Sequence, residues 1–229
     1  MVLLGEGFLQ HFSRGYEMFA WTPPRPHGQD AHSSADAERI FDRVHGRDDD
    51  PWNYTSSWYE RRKRALTLAA LPVESYSAAL EIGCSIGTLT ADLSPRCRSL
   101  LAVDASGIAA GQAAERLAGS PHVSVRHMVV PASWPEGSFD LVVVSEVGYY
   151  LAPDELSALW DRIHETMLPG GTLLLCHWRH PVEGWLLDGE AVHASARERP
   201  HWQSAGLYRE RDFILEVFTV DSAPPAGRA

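Results

Sequence analysis

The pattern Glu81-x-Gly83-x-x-x-Gly87 follows one apolar run, and a second run, Leu100-Leu-Ala-Val-Asp104, ends on a carboxylate. Glycines at 83 and 87 permit backbone angles and close approaches that a Cβ forbids. The amides that open the following helix then face an anionic or polar ligand group. A carboxylate closing the neighbouring strand is placed to accept hydrogen bonds from ribose hydroxyls. Further on, Glu146 ends a third apolar run, and His177 and His180 follow a fourth, with Tyr149, Tyr150 and Trp178 beside them. Carboxylate and imidazole are general-base candidates, and aromatic faces suit a sugar or a cationic amine.

The spacing discriminates between ligands. A dinucleotide loop reads Gly-x-Gly-x-x-Gly. Here Ser85 replaces the middle glycine that admits a pyrophosphate, and Glu81 sets a negative charge beside the loop. A ligand with an adenosine ribose and an amino-acid end suits these residues better, and S-adenosylmethionine is such a ligand. An ordinary strand-turn-helix corner is the plainer reading of the glycines alone, and Asp104 at the next strand end favours the cofactor. A nicotinamide oxidoreductase and a non-catalytic cofactor-binding protein are the rivals. Against the first, the rim lacks a Tyr-x-x-x-Lys pair.

Positioning these groups takes alternating strands and helices. Strands are expected at about 78–82, 100–103, 122–129, 140–145 and 172–176, with helices after Gly87 and at about 107–118, 153–167 and 190–199. That alternation predicts an α/β, Rossmann-like, doubly wound and mostly parallel sheet. Seven strands are expected, with a C-terminal antiparallel hairpin over 206–220 turning near Arg211 and Asp212. Ahead of the sheet, a helix that follows Ser33 and Ser34 and runs through Val44, and another that follows the Ser57 cap and runs to Leu71, form an N-terminal helical cover. Ser57-x-x-Glu60 reads as a capping box for the second. The expected divisions are an arm over 1–34, the cover over 35–75, the sheet domain over 76–220 and a mobile tail over 221–229.

Length and charge narrow the partners. At 229 residues the chain suits one decorated domain, and a formal charge of -10 repels nucleic acid on average. Three cysteines, Cys84, Cys97 and Cys176, have neither metal nor disulfide spacing. No metal is expected. Cys84 reads as a small residue filling tight space rather than a nucleophile. The residues from Met1 to Glu6 lack the basic flank and apolar length of a signal peptide, and no run reaches membrane-spanning length. A cytoplasmic protein acting on a small molecule or oligosaccharide, away from nucleic acid and membrane, is expected, and the oligomeric state stays open.

The ordered set Glu81-x-Gly83-x-x-x-Gly87, Asp104, Phe139-Asp-Leu-Val-Val-Val-Ser-Glu146 and Leu168-Pro-Gly-Gly171 resembles class I S-adenosylmethionine-dependent methyltransferases. Adding Asp50-Pro-Trp52, Trp58-Tyr-Glu-x-Arg-Lys63, Leu66-Thr-Leu-Ala-Ala-Leu-Pro72, Ser145-Glu-Val-Gly-Tyr-Tyr150 and His177-Trp-Arg-His-Pro181, the chain over about 36–220 resembles the nodulation protein S (NodS-like) methyltransferases. The founding members of that family N-methylate the free amine of a partly deacetylated chitooligosaccharide. The resemblance implies that Glu81, Gly83, Cys84, Ser85 and Gly87 cradle the methionine part of S-adenosylmethionine, released as S-adenosylhomocysteine. It implies that Asp104 and Ala105 hold the ribose and that Ala132, Ser133 and Ser145 complete the cofactor site. Trp52 and Arg62 would close over it, Arg62 near the carboxylate. Trp134 flanks adenine or belongs to the core. Glu146, His177 and His180 are the catalytic candidates, with loop-fixing and strand-end roles as alternatives. Tyr149, Tyr150 and Trp178 are the acceptor-contacting candidates, Trp185 is a second tryptophan of the same kind, and His193 and His201 are expected at the surface. N-methylation of an amino sugar or glycan leads, with O-methylation of a sugar or secondary metabolite next.

Overall fold

The computed structural model describes residues 34–182 and 184–221. The tail beyond 221 and all of the N-terminal arm but Ser34 lie outside the described residues.

Seven strands form one sheet in the order β3-β2-β1-β4-β5-β7-β6. They are β1 (Ala79–Ile82), β2 (Leu100–Asp104), β3 (Val123–His127), β4 (Phe139–Ser145), β5 (Met167–Trp178), β6 (Trp202–Arg209) and β7 (Phe213–Val220). The first five run parallel, and β7 pairs antiparallel with both β5 and β6. The order reverses between β1 and β4, which opens a crevice at their carboxyl ends. β4 is central and buried on both faces, so Leu141, Val142, Val143 and Val144 are apolar without alternation.

Two apolar layers clamp the sheet. On one face β1, β4 and β5 pack against α5 (Pro153–Thr166) and α6 (Gly189–Arg197), whose Leu156, Leu159, Trp160, Ile163, Val192 and Ala196 are all buried. On the other lie α2 (Trp58–Ala70) and α3 (Thr88–Leu93), with Leu71, Leu89 and Leu93 against Leu141, Val143 and Leu174. Helix α4 (Gly107–Arg116) adds Ala113 against Cys84 and Ala102.

The cover is fastened by polar contacts. At the start of α1 (Ser34–His45) the Ser34 amide donates to Glu155. Near its end Asp42 accepts from the Ser106 hydroxyl at 2.7 Å. Ser57 caps α2 by accepting from Glu60 N–H. The Glu60 carboxylate takes Lys63, at 3.1 Å.

Two boundaries differ from the sequence reading. Pro169-Gly-Gly171, expected to separate helix from strand, lies inside β5. At its start Met167 pairs with Phe139 of β4 ahead of a register shift, and from Gly171 to Trp178 β7 pairs with β5 continuously and draws out its far end. β6 begins at Trp202, because Trp202 pairs with Val220 at the far end of the hairpin and its ring packs on Trp160 at 5.5 Å.

Leu141→Ala, at a fully buried position, should cost about 2–5 kcal/mol in urea unfolding. Leu207→Ala, 54% exposed on the edge strand β6, should cost under about 0.5 kcal/mol. Equal costs at the two sites would contradict the packing described.

Candidate active site

A cavity of about 550 Å³ fills the crevice at the β1–β4 reversal, beneath α1 and α2. Its floor is built by backbone in the left-handed region: Gly83 at φ +80°, Ser85 at 48° and Glu146 at 58°. Glycine is required at 83 on two counts, since a Cβ there would also meet Val147 Cγ2 at 2.0 Å. Such angles at non-glycine residues cost energy and gather at functional sites.

Asp104, at the end of β2, is one polar pole. Its Oδ2 accepts from Ser85 N–H at 2.7 Å and its Oδ1 from Ser106 N–H at 2.8 Å. Each oxygen keeps lone-pair capacity for a hydroxyl donor in the cavity. Glu81 is the second pole. It is 1% exposed, and its Oε2 has no hydrogen-bond partner among the described residues. Burial pushes its pKa up to about 8; the nearby Thr90 hydroxyl pulls the other way without making a hydrogen bond of normal geometry. His45, from the end of α1, also lines the cavity, with Nδ1 buried and unpartnered among the described residues. Its Nε2 lies 3.5 Å from Ser85 Oγ, and burial lowers its pKa despite the surrounding aspartates.

The third pole is ionic. Lys63 Nζ sits 2.8 Å from Glu146 Oε1 and 3.1 Å from Glu60 Oε1. Burial alone would lower the Lys63 pKa, but the two carboxylates outweigh it and hold the ammonium charged. Glu146 Oε2 accepts from the Tyr149 hydroxyl and from Trp178 N–H, the latter at 2.9 Å. Tyr54, Tyr59, Tyr150 and Trp178 wall this end, and His180 stands at the mouth with Nε2 3.1 Å from Asp212.

Trp52, Glu81, Gly83, Cys84, Ser85, Asp104, Ala105, Ser145, Glu146, Tyr149, Tyr150, Trp178 and His180 therefore meet in one cavity, as the sequence pattern anticipates. Five anticipated residues do not. Arg62 points away, bound bidentately to Glu210 at 2.9 and 2.8 Å and to Tyr208. One residue further round the helix, Lys63 turns inward in its place. Gly87 faces α4, where a Cβ would meet Ala113 Cβ at 3.0 Å. Ala132 and Ser133 are exposed, and the cavity wall after β3 is Met128, Val129 and Val130. His177 is fully buried outside the cavity, because it continues the Leu173 and Leu175 face of β5 toward α6. His193, expected at the surface, is fully buried against it. Trp134 packs on the core, and Trp185 meets Tyr150 edge-on from outside the cavity. Among the described residues no helix is long and apolar enough to cross a membrane.

The family model for nodulation protein S (NodS) matches residues 34–200. Nodulation protein S of Rhizobium tropici is 34% identical over 131 residues, covering 55% of this chain and 54% of that protein. The chain spans between half and two thirds of the length of such curated relatives. The crystal structure of a candidate methyltransferase from Pseudomonas syringae is 45% identical with TM-score 0.64, over 71% of this chain and 99% of that one. The N-methyltransferase NodS of Bradyrhizobium japonicum, solved with S-adenosyl-l-homocysteine, is 25% identical with TM-score 0.71, over 82% of this chain and 98% of that one.

Glu81 generates a prediction about stability. From the unfolded carboxyl pKa of about 4.3 up to about 8, the folded state holds a proton there that the unfolded state has lost. Folding thus grows less favourable as pH rises through that window. Glu81→Gln should flatten this fall in urea unfolding of the ligand-free protein at a series of pH values; an unchanged slope would contradict a protonated, buried Glu81.

Proposed function

The chain belongs to the nodulation protein S family, and from that we propose that it transfers a methyl group from S-adenosylmethionine to the nitrogen of a small hydroxylated amine, an amino sugar or short glycan. The observation that carries the reading is a single cavity with a carboxylate at Asp104 that keeps spare acceptor positions and a carboxylate at Glu146 that already accepts an ammonium.

The residues fit the cofactor. The unpartnered Glu81 Oε2 and His45 Nδ1 are buried polar atoms without partners, a costly state that a ligand's polar groups relieve. Asp104 would take the ribose hydroxyls, Glu81 the amino group, and Arg64, on the cavity wall, the carboxylate. Gly83 and Ser85 bring their backbone close, and Trp52 closes the roof with Phe41. When bound, the sulfonium supplies an already activated methyl group.

What remains for the chain is alignment, dryness and a proton. Glu146 receives the N–H of the acceptor. Lys63, Tyr149 and Trp178 use about three of its roughly four acceptor positions and fix its orientation. One position is left to hold the nitrogen and take its proton, which an amine must lose before it attacks. Tyr54, Tyr59, Tyr150 and Trp178 present aromatic surface to a sugar face or a methylated ammonium. His180 with Asp212 offers a second acceptor where the cavity opens.

Asp104→Ala should weaken S-adenosylhomocysteine binding by about 1.5–3 kcal/mol in calorimetry. Glu146→Gln and His180→Ala should lower turnover more than cofactor affinity. The rate should rise as pH climbs toward the acceptor amine's pKa. Methylation of tRNA with refusal of every amino sugar and glycan offered, or full activity in both variants, would overturn the reading.

A further inference from the structure

Three buried side chains beneath the acceptor end of the cavity have no part in the scheme above. Gly148 N–H donates to His177 Nε2 at 3.2 Å; His177 Nδ1 lies 3.1 Å from His193 Nε2; His193 Nδ1 lies 3.2 Å from Glu216 Oε2. All three side chains are 1% exposed or less. They come from different elements: β5, α6 and β7.

The chain of bonds admits a single assignment of protons. A backbone amide can only donate, so His177 Nε2 must be bare. Its proton is then on Nδ1, facing His193 Nε2, which must be bare in turn. His193 therefore carries its proton on Nδ1 and gives it to Glu216. Glu216 is anchored by Arg197 at 2.8 Å and the Ser204 hydroxyl at 2.7 Å. Burial would raise its pKa, but these donors bring it down to about 2, so the end of the chain is a fixed anion. Burial likewise disfavours a second proton on either imidazole.

The other end is the turn that carries the acceptor site. Gly148 opens the 3₁₀ turn Gly148–Tyr150, two residues after Glu146 in its left-handed conformation. The turn is pressed onto its support: a Cβ at 148 would meet Val192 Cγ1 at 2.5 Å and His177 Nε2 at 3.2 Å. Gly189 similarly lets the start of α6 close on β5, with Trp178 O 2.1 Å from where its Cβ would stand, and His193 lies one helical turn further on. We propose that His177 and His193 are positioning residues: a neutral pair of fixed tautomers, oriented by Glu216, that holds the Gly148 turn and so sets where Glu146 and Tyr149 meet the acceptor. The role in turnover rests on the methyl-transfer reading; the tautomers and the held turn do not.

Nitrogen-15 NMR of the full chain, labelled on histidine, reads the tautomers without any activity. Both His177 and His193 should be neutral Nδ1–H forms from about pH 6 to about pH 9, across the ordinary range of imidazole titration. An Nε2–H form or an imidazolium at either would overturn the proposal. Two variants then separate positioning from bulk. His177→Gln keeps an acceptor near the Nε2 position, and His177→Leu removes it. In the Leu variant the Gly148 amide should exchange with solvent at least about tenfold faster, and turnover at saturating acceptor should fall at least about tenfold, with S-adenosylhomocysteine affinity little changed. The Gln variant should recover most of both losses. Wild-type Gly148 exchange in the Leu variant, or a Gln variant as impaired as Leu, would overturn the proposal. If no amine is methylated even by the wild type, the methyl-transfer reading fails while the tautomer and exchange results still decide this one.

Discussion

The Lys63 ammonium, shared between Glu60 and Glu146, is the contact on which the site depends. All three groups sit out of bulk water, where removing one partner of a buried pair typically costs about 3–5 kcal/mol because the other charge is stranded. The contact joins α2, in the cover, to the residue that follows β4, in the middle of the sheet. Within the cavity it ties the roof, at α2, to the floor at Glu146. It also leaves one negative charge over, since two carboxylates face one ammonium. An incoming cation is therefore favoured where an anion or a nucleic-acid phosphate is not.

The remaining geometry follows from the sheet. Reversal of strand order between β1 and β4 leaves the carboxyl ends of β1, β2 and β4 open to one crevice, and Glu81, Asp104 and Glu146 arrive there on separate strands or strand ends. Rigid packing on both faces holds those ends apart. The left-handed residues at 83, 85 and 146 then turn the chain sharply enough for backbone to line the cavity. Strain is concentrated where ligand contact is proposed, and the regular elements beneath carry it.

The central strands β1, β2 and β4 were legible in the sequence because they are short and apolar. The glycine loop, Asp104 and Glu146 were legible because strand ends fix them. Lys63 was hidden in a run of four cations, Arg61 to Arg64, which reads as a solvated helix face. The signal that picks it out is the spacing of buried polar residues, Glu60, Lys63 and Thr67, along one helix face. Strand alternation separates His177 from Trp178: the histidine continues the face of Leu173 and Leu175 and is buried, while the neighbouring Trp178 reaches the cavity. The burial of His193 was beyond sequence reasoning, because its partners come from β5 and β7, 16 and 23 residues away. Ala132 and Ser133 fail for a simpler reason: the chain leaves the crevice after Val130.

The central claim is that cover and sheet together form one cofactor site. Hydrogen–deuterium exchange of the full chain with and without S-adenosylhomocysteine tests it most directly. The account predicts slowed exchange in four places at once: the Gly83–Gly87 loop, the Asp104–Ser106 turn, the Glu146–Tyr150 turn and helix α2. Binding that protects only the β6–β7 turn around Arg62's partner Glu210, or that leaves α2 unchanged while protecting the sheet, would contradict it.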